Sequence, residues 1–396
     1  MAAMSMSRLP RDIQVEILLK LPAKSILTCK CVCKLWLNRI SSPKFINDHL
    51  KISIQNKNNH KIMLMDKESD TGKRLIYSID YASITSTPYL SCEYLGEKAS
   101  LMDTPFEYKK GMDVRILGTC NGLICLGILI DTKTSICIWN PTTREFKEIQ
   151  NCDFHISPSK ISRDGFGYDN KTGDYKMLRI ADEKESGYCE FEVYTFGLQL
   201  SKTVLTFHHE FPIDVSLRGV FLNGCLHWIS NYPYNLGTSK YIVSFDISNE
   251  KLMDASLPEK SIVHPEPEDN NTKEYMKVGV LGDCLSLVLV DEEYVRAEVW
   301  VMQDYGVRQS WAKLFTTTHE SITMYAFLCT PMILLRTGEI MMYTCDGFVL
   351  CDPKNERVGK VFRLLMKLIQ MLRDISRTAV QLTDALSKIV MMIMLH

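Results

Sequence analysis

Two rhythms of apolar and polar positions divide this chain. From Leu9 to Leu50 the apolar residues fall at helical spacing. Ile13, Ile17, Leu18 and Leu21 share one face, and Arg11, Asp12, Gln14, Glu16 and Lys20 cover the other. Leu21-Pro22 ends this helix, because proline has no N–H to donate and restrains the residue before it. A second segment carries Ile26 and Leu27, and a third sets Val32, Leu35, Trp36 and Ile40 at helical spacing. Three short helices over about forty residues bury too little surface to stand alone. Part of their apolar face is therefore expected to dock on something else.

Beyond residue 60 the rhythm changes to alternation punctuated by turn residues. One element recurs every 50 to 60 residues: "YSID" ending at Asp80, "CIWN" at Asn140, "VYTF" at Phe196, "VSFD" at Asp246, "VWVM" at Met302 and "VLCD" at Asp352. Each lies in a longer unit, seen most clearly where "RGVFLNGCLHWIS" forms a strand pair around Asn223-Gly224 and "YIVSFDISNEKLMDASL" a second pair around Ser248–Glu250. Four strands per unit and six units predict a mainly β fold, a six-bladed kelch-like propeller over residues 51–359. A two-sheet sandwich is the competing architecture, and it leaves the period unexplained.

The last segment, 360–396, has a third rhythm. From Val361, residues Leu365, Leu368, Leu372, Ile375, Ala379, Leu382, Leu386, Ile389 and Ile393 follow alternating steps of four and three, with no Pro or Gly after Gly359. This predicts a heptad-patterned helix able to form a homodimer through a coiled coil. Arg363, Lys367, Arg373, Arg377 and Lys388 make its flanks basic, which leaves open docking on an acidic surface or an anionic membrane.

Charge and cysteine narrow the function. With 46 Lys+Arg against 47 Asp+Glu, the net charge of -1 offers no footprint for nucleic acid. No run approaches the ~20 apolar residues of a membrane span, and the first residues lack an apolar signal region. The expected compartment is cytoplasm, or nucleus. The 14 cysteines are scattered and read as reduced thiols. Cys29, Cys31 and Cys33 point to different sides of a helix with no His close by, so no metal is expected.

The N-terminal residues carry a resemblance. Leu9-Pro10, Glu16-Ile17-Leu18, Leu21-Pro22, Ser25-Ile26-Leu27, Val32-Cys33-Lys34, Trp36 and Pro43-Lys44-Phe45 resemble an F-box, with order and spacing kept over residues 9–50. Farther on, "IWNPTTREFKEI", "GFGYDNKTGDYKML", "GVFLNGCLHWI", "IVSFDISNEKL" and "EVWVMQDYGVRQSWAKLF" resemble the plant F-box-associated, kelch-like domain. The double-Gly signature of a strict kelch repeat is absent, and nothing after Val358 looks like that family's closing strand. The resemblance implies an F-box at 1–50 binding a Skp-type adaptor and through it a cullin. The chain would be the substrate receptor of an SCF-type (Skp–cullin–F-box) ubiquitin ligase. S-locus F-box proteins of self-incompatibility fall in the same family, as do relatives acting in immunity and stress; the motifs do not separate the branches.

Matching positions to the F-box pattern gives Leu9, Pro10, Ile13, Leu18, Leu27, Val32 and Trp36 as the set that includes the adaptor contacts, some of its members being internal helix packing instead. On the propeller, long irregular b–c and d–a connections are where function gathers. Three of them are acidic: Asp182, Glu183 and Glu185; Glu266, Glu268 and Asp269; Asp291, Glu292 and Glu293. They would recruit a basic protein substrate. No catalytic residue or cofactor is expected. His208-His209 lacks the second His at helical spacing that a zinc protease needs, and there is no G-x-S-x-G elbow or P-loop. Gly165, Gly167 and Gly173 lack dinucleotide-loop spacing, and Trp139, Trp228, Trp300 and Trp311 at strand positions suit inter-blade packing. A propeller-domain enzyme with a helical cap and a non-catalytic interaction hub are the alternatives.

Overall fold

A computed structural model of the chain describes residues 9–55, 60–68, 71–87, 91–130, 133–150, 162–183, 188–207, 218–231, 240–255, 257–258, 274–291, 295–323, 330–335, 337–344, 347–355, 357–362 and 391–395. Four helices lead: α1 (Arg11–Leu19), α2 (Ala23–Lys30), α3 (Lys34–Ile40) and α4 (Pro43–Gln55). The predicted three are α1 to α3. The fourth begins as local chemistry dictates, with the Ser42 hydroxyl accepting from the Phe45 N–H at 3.3 Å and Pro43 in the first turn, where no N–H is needed. Because α4 continues to Gln55, the expected domain boundary at residue 50 falls inside a helix. Leu18, Ile26, Ile40 and Phe45 form the small core of this unit.

The strands form six four-stranded antiparallel sheets. The first blade contains β1 (Lys61–Lys67), β2 (Arg74–Asp80) and the short β3 (Ser100–Leu101), with α5 (Tyr81–Thr85) and α6 (Cys92–Lys98) inserted before β3. The second is β4 (Met112–Cys120), β5 (Leu123–Ile130), β6 (Lys133–Trp139) and β7 (Phe146–Gln150). The third is β8 (Ser162–Asp169), β9 (Asp174–Glu183), β10 (Tyr188–Thr195) and β11 (Leu200–Phe207). The fourth is β12 (Val220–Leu222), β13 (Cys225–Asn231), β14 (Lys240–Asp246) and β15 (Lys251–Ala255). The fifth is β16 (Glu274–Leu281), β17 (Cys284–Asp291), β18 (Arg296–Met302) and β19 (Trp311–Thr317). The sixth follows α7 (Glu320–Thr323) and comprises β20 (Thr330–Leu334), β21 (Ile340–Thr344), β22 (Gly347–Asp352) and β23 (Arg357–Phe362).

All six recurrences of the sequence element fall on or at the end of the third strand of a blade: β2, β6, β10, β14, β18 and β22. Its frequent closing Asn or Asp has a cause. Asn140 Oδ1 accepts from the N–H groups of Thr142 and Thr143, and Asp246 Oδ1 from those of Ser248 and Asn249, so the side chain builds the turn into the fourth strand. The first-to-second-strand turns at Asn121-Gly122 and Asn223-Gly224 have φ of 51° and 79°, and 50° and 81°, the two positive values a type I′ hairpin turn requires.

The two-residue side-chain period closes the ring. On β1, Ile62 and Leu64 join a core with Ile333, Met341 and Phe348 of the sixth blade, while Met63 and Met65 join one with Ile116, Leu126 and Trp139 of the second. Further clusters fill the remaining inter-blade gaps, and Trp228, Trp300 and Trp311 lie within them as packing residues.

The tail departs from expectation. Met391–Leu395 is not helical but a strand, β24, antiparallel to β1, with Ile393 opposite Met63 and Met391 opposite Met65. A short unbroken apolar run suits a buried strand as well as a helix, and β1 offers it a backbone edge to pair with. β24 thereby supplies the innermost strand of the first blade. The remaining heptad positions, Leu365 to Ile389, lie outside the described residues, and β23 carries strand structure past the expected boundary at 359.

Candidate functional site

The helical unit folds so that its own core is complete and apolar residues remain outside it. Gln14 ties its parts together: its amide donates to the Leu9 carbonyl at 2.9 Å and its Oε1 accepts from Arg39 at 3.0 Å, joining α1 to α3. His49 of α4 donates to the Leu21 carbonyl at 2.9 Å. Trp36, half-buried, packs on the Leu18–Ile26–Ile40–Phe45 core together with Val15, Leu19 and Leu21.

Of the seven positions read as the adaptor-contact set, the structure sorts three kinds. Ile13 (43% exposed), Val32 (63%) and Pro10 stand in solvent. Leu9, Leu27 and Trp36 are half-buried. Leu18 is fully buried and is one of the set's internal packing residues, because the face of α1 that carries it meets Ile26, Ile40 and Phe45 of α2, α3 and α4. Ile17, Leu35 and Leu37 were not in that set and are exposed. The signal was present, since Ile17 lies one helical turn beyond Ile13, and Leu35 one turn beyond Val32. Around the α2–α3 corner, Cys31 through Leu35 are all exposed, so the apolar surface is contiguous there.

On the propeller, Asp182 and Glu183 end β9 and Asp291 ends β17, so topology puts all three at the same end of the ring, where second strands stop. Asp291 is only 3% exposed, with Glu274 and Arg296 opposite it in register. A carboxylate at the last ladder position is enclosed by its own sheet, so Asp291 is not the free loop charge the sequence suggested. Glu185, Glu266, Glu268, Asp269, Glu292 and Glu293 lie outside the described residues.

A buried polar network ties the third and fourth blades together. Lys176 of β9 meets Asp169 at 2.9 Å and Glu250, beyond β14, at 3.0 Å, while the Ser248 hydroxyl donates to Asp169 at 2.6 Å. Burial works against the Asp169 carboxylate, but hydrogen bonds from Ser248, Lys176 and Thr172 hold it well below the usual range. Its partners are all held in place by the two hairpins. Among the described residues no group of three or more His, Cys, Asp or Glu is placed to hold a metal ion, and no helix is long and apolar enough to cross a membrane. The helical unit offers exposed apolar area, which is the chemistry of binding.

Comparison with known proteins bears on both parts. Residues 6–48 match the F-box domain, and residues 76–337 match the F-box associated beta propeller domain. The F-box protein CPR1 of Arabidopsis thaliana is 28% identical over 346 residues, covering 82% of this chain and 76% of that protein. An F-box/kelch-repeat protein of the same plant is 29% identical over 317 residues, 78% of this chain and 79% of its own. Among solved structures, a chain of a nidogen/laminin complex covers 76% of this chain and 93% of its own at 13% identity, with a TM-score of 0.40.

Proposed function

From the premise that the chain belongs to the F-box proteins with an F-box-associated β-propeller, we propose that it is the substrate-recognition subunit of an SCF-type ubiquitin ligase. In this reading the F-box binds a Skp-type adaptor and through it a cullin, and the propeller loops hold a protein substrate. The chain itself is non-catalytic and contributes proximity. The observation that carries the reading is the surface of the helical unit: Ile13, Ile17, Val32, Leu35 and Leu37 are exposed although the unit already has a packed core of its own. Apolar residues grouped this way on a soluble face mark an interaction site.

The test is capture by a recombinant Skp-type adaptor. Val32→Asp puts a charge into the centre of the exposed corner, and interface anchors commonly carry about 2 kcal/mol or more, so affinity should fall at least about thirtyfold. Equal capture by this variant and by wild type would overturn the reading. For the propeller, the acidic ends of the second strands remain the proposed recruiting charges, without the buried Asp291. Joint reversal of Asp182, Glu183 and Glu185 to Lys should abolish the loss of a basic substrate in a half-life assay. The compartment that fits free cysteines and an adaptor partner is the cytoplasm or nucleus.

A further inference from the structure

The corner between α2 and α3 carries two thiols with one residue between them. Cys31 and Cys33 are exposed, and Val32, itself exposed, separates them. On a continuous helix Cys29, Cys31 and Cys33 would point to different sides. α2 stops at Lys30, however, so Cys31 and Cys33 lie on the connection to α3 and are released from that arrangement. The N–H groups of Cys31 and Val32 donate to the carbonyls of Thr28 and Cys29 at 3.1 and 3.2 Å, which bends the backbone there. Residues two apart in a bent chain lie closer than the ~7 Å of full extension, and the Cα atoms of a disulfide stand roughly 4.4–6.8 Å apart. The Cys33 side chain makes no capping bond to α3, and that of Cys31 donates to the Leu27 carbonyl only at 3.8 Å, so either sulfur can turn toward the other.

Exposure separates these two thiols from those of the propeller core. Cys120, Cys125, Cys137, Cys225 and Cys351 are buried. Burial pushes the Cys137 thiol up to about 12 and raises Cys120 and Cys225 as well, so these sulfurs keep their protons and act as inert packing groups. An oxidant arriving from solvent meets the α2–α3 corner instead. In a reducing compartment such a pair rests as the dithiol, and a disulfide formed there is transient. An exposed disulfide closing so small a ring is of the readily reduced, regulatory kind.

We propose that Cys31 and Cys33 form a reversible dithiol–disulfide pair, closed by hydrogen peroxide, that switches adaptor capture off. One sulfur attacks the O–O bond and becomes a sulfenic acid, its proton leaving with the departing hydroxide as water. The second sulfur then attacks the first, forming the S–S bond and releasing a second water. Two electrons pass from the two sulfurs to the peroxide, and a dithiol reductant returns them. The bond draws the two Cβ atoms to about 3.8 Å on either side of Val32 and at the start of α3. Val32 and Leu35, both exposed apolar residues of the docking corner, are thereby displaced. The effect on capture rests on the adaptor reading; the bond itself does not.

The full chain, treated with hydrogen peroxide, alkylated and digested with trypsin, is weighed by mass spectrometry, and a matched sample is offered to a recombinant Skp-type adaptor. Trypsin cuts after Lys24, Lys30 and Lys34, so residues 31–34 are released with both thiols and without Cys29. The expected product is segment 31–34 lighter by two hydrogens and closed to alkylation. Adaptor affinity should fall about tenfold or more, and dithiothreitol should restore both the thiols and the affinity. Cys31→Ser and Cys33→Ser should each remove the difference between treated and untreated chain, whatever the starting affinity of the variant. A bond joining segment 25–30 to segment 31–34, or oxidation to sulfinic and sulfonic acids with no bond, would overturn the proposal. So would a disulfide-closed chain that captures the adaptor as well as the reduced one. If the reduced chain captures no adaptor, the adaptor reading fails and the switch with it, while the mass of segment 31–34 still decides whether the bond forms.

Discussion

At the scale of single residues, the interior of the fourth blade contains a proton-sensitive joint. His227 is fully buried; its Nδ1 donates to the Val220 carbonyl at 3.0 Å, so its Nε2 accepts from the Tyr305 hydroxyl at 2.8 Å, across the boundary with the fifth blade. Burial depresses the imidazole from 6.5 to about 4 in the folded chain. The unfolded state therefore takes up a proton first as pH falls. The stabilisation is complete above pH 6.5 and is lost progressively between about 6.5 and 4, amounting to about 3 kcal/mol. Urea titrations across this range should show that slope in the wild type and a flatter one in His227→Asn, which is less stable at neutral pH. Gly219 offers a second test. A Cβ there would stand inside contact distance of the Trp228 ring, which is 1% exposed and has nowhere to move. Gly219→Ala should cost about 1–3 kcal/mol by overpacking, measured by the same titration.

At the scale of elements, α1 separates two kinds of leucine and isoleucine that look alike in sequence. Leu18→Ala removes a side chain from the small core and should destabilise the helical unit by about 2–5 kcal/mol. Its adaptor capture should fall together with helical content, followed by circular dichroism, whereas Val32→Asp loses capture with helical content intact. Four of the six recurrences of the third strand close on Asn or Asp, and where that side chain builds the following turn, as at Asn140 and Asp246, a local chemical need leaves a local mark. Helical periodicity likewise placed α1 to α3. It did not tell Leu18 from Ile13, since both lie on apolar stripes and only the packing of the later helices, Phe45 of α4 among them, decides which stripe is covered. Asp291 differs for another reason: it is the last ladder position of β17, flanked by Glu274 and Arg296 of the neighbouring strands, and an acidic run in the sequence does not mark where the strand stops.

At the scale of the whole molecule, closure depends on the pairing of β24 with β1. A chain ending before Met391 leaves the β1 edge unpaired, and an open apolar edge invites self-association. Sedimentation velocity should find the truncated chain associating and less stable to urea; a truncated chain as soluble and stable as the full one would show that the ring closes without β24. The two faces of β1 also set a timetable. Met63 and Met65 are covered by the second blade soon after they are made, but Ile62 and Leu64 must wait for Phe348 of the sixth. At about 5–20 residues per second on the ribosome, that wait lasts on the order of tens of seconds. Through this interval a finished F-box is joined to a nascent propeller with one sticky flank, so cells starved of chaperones should lose this protein during its synthesis, before the ring has closed.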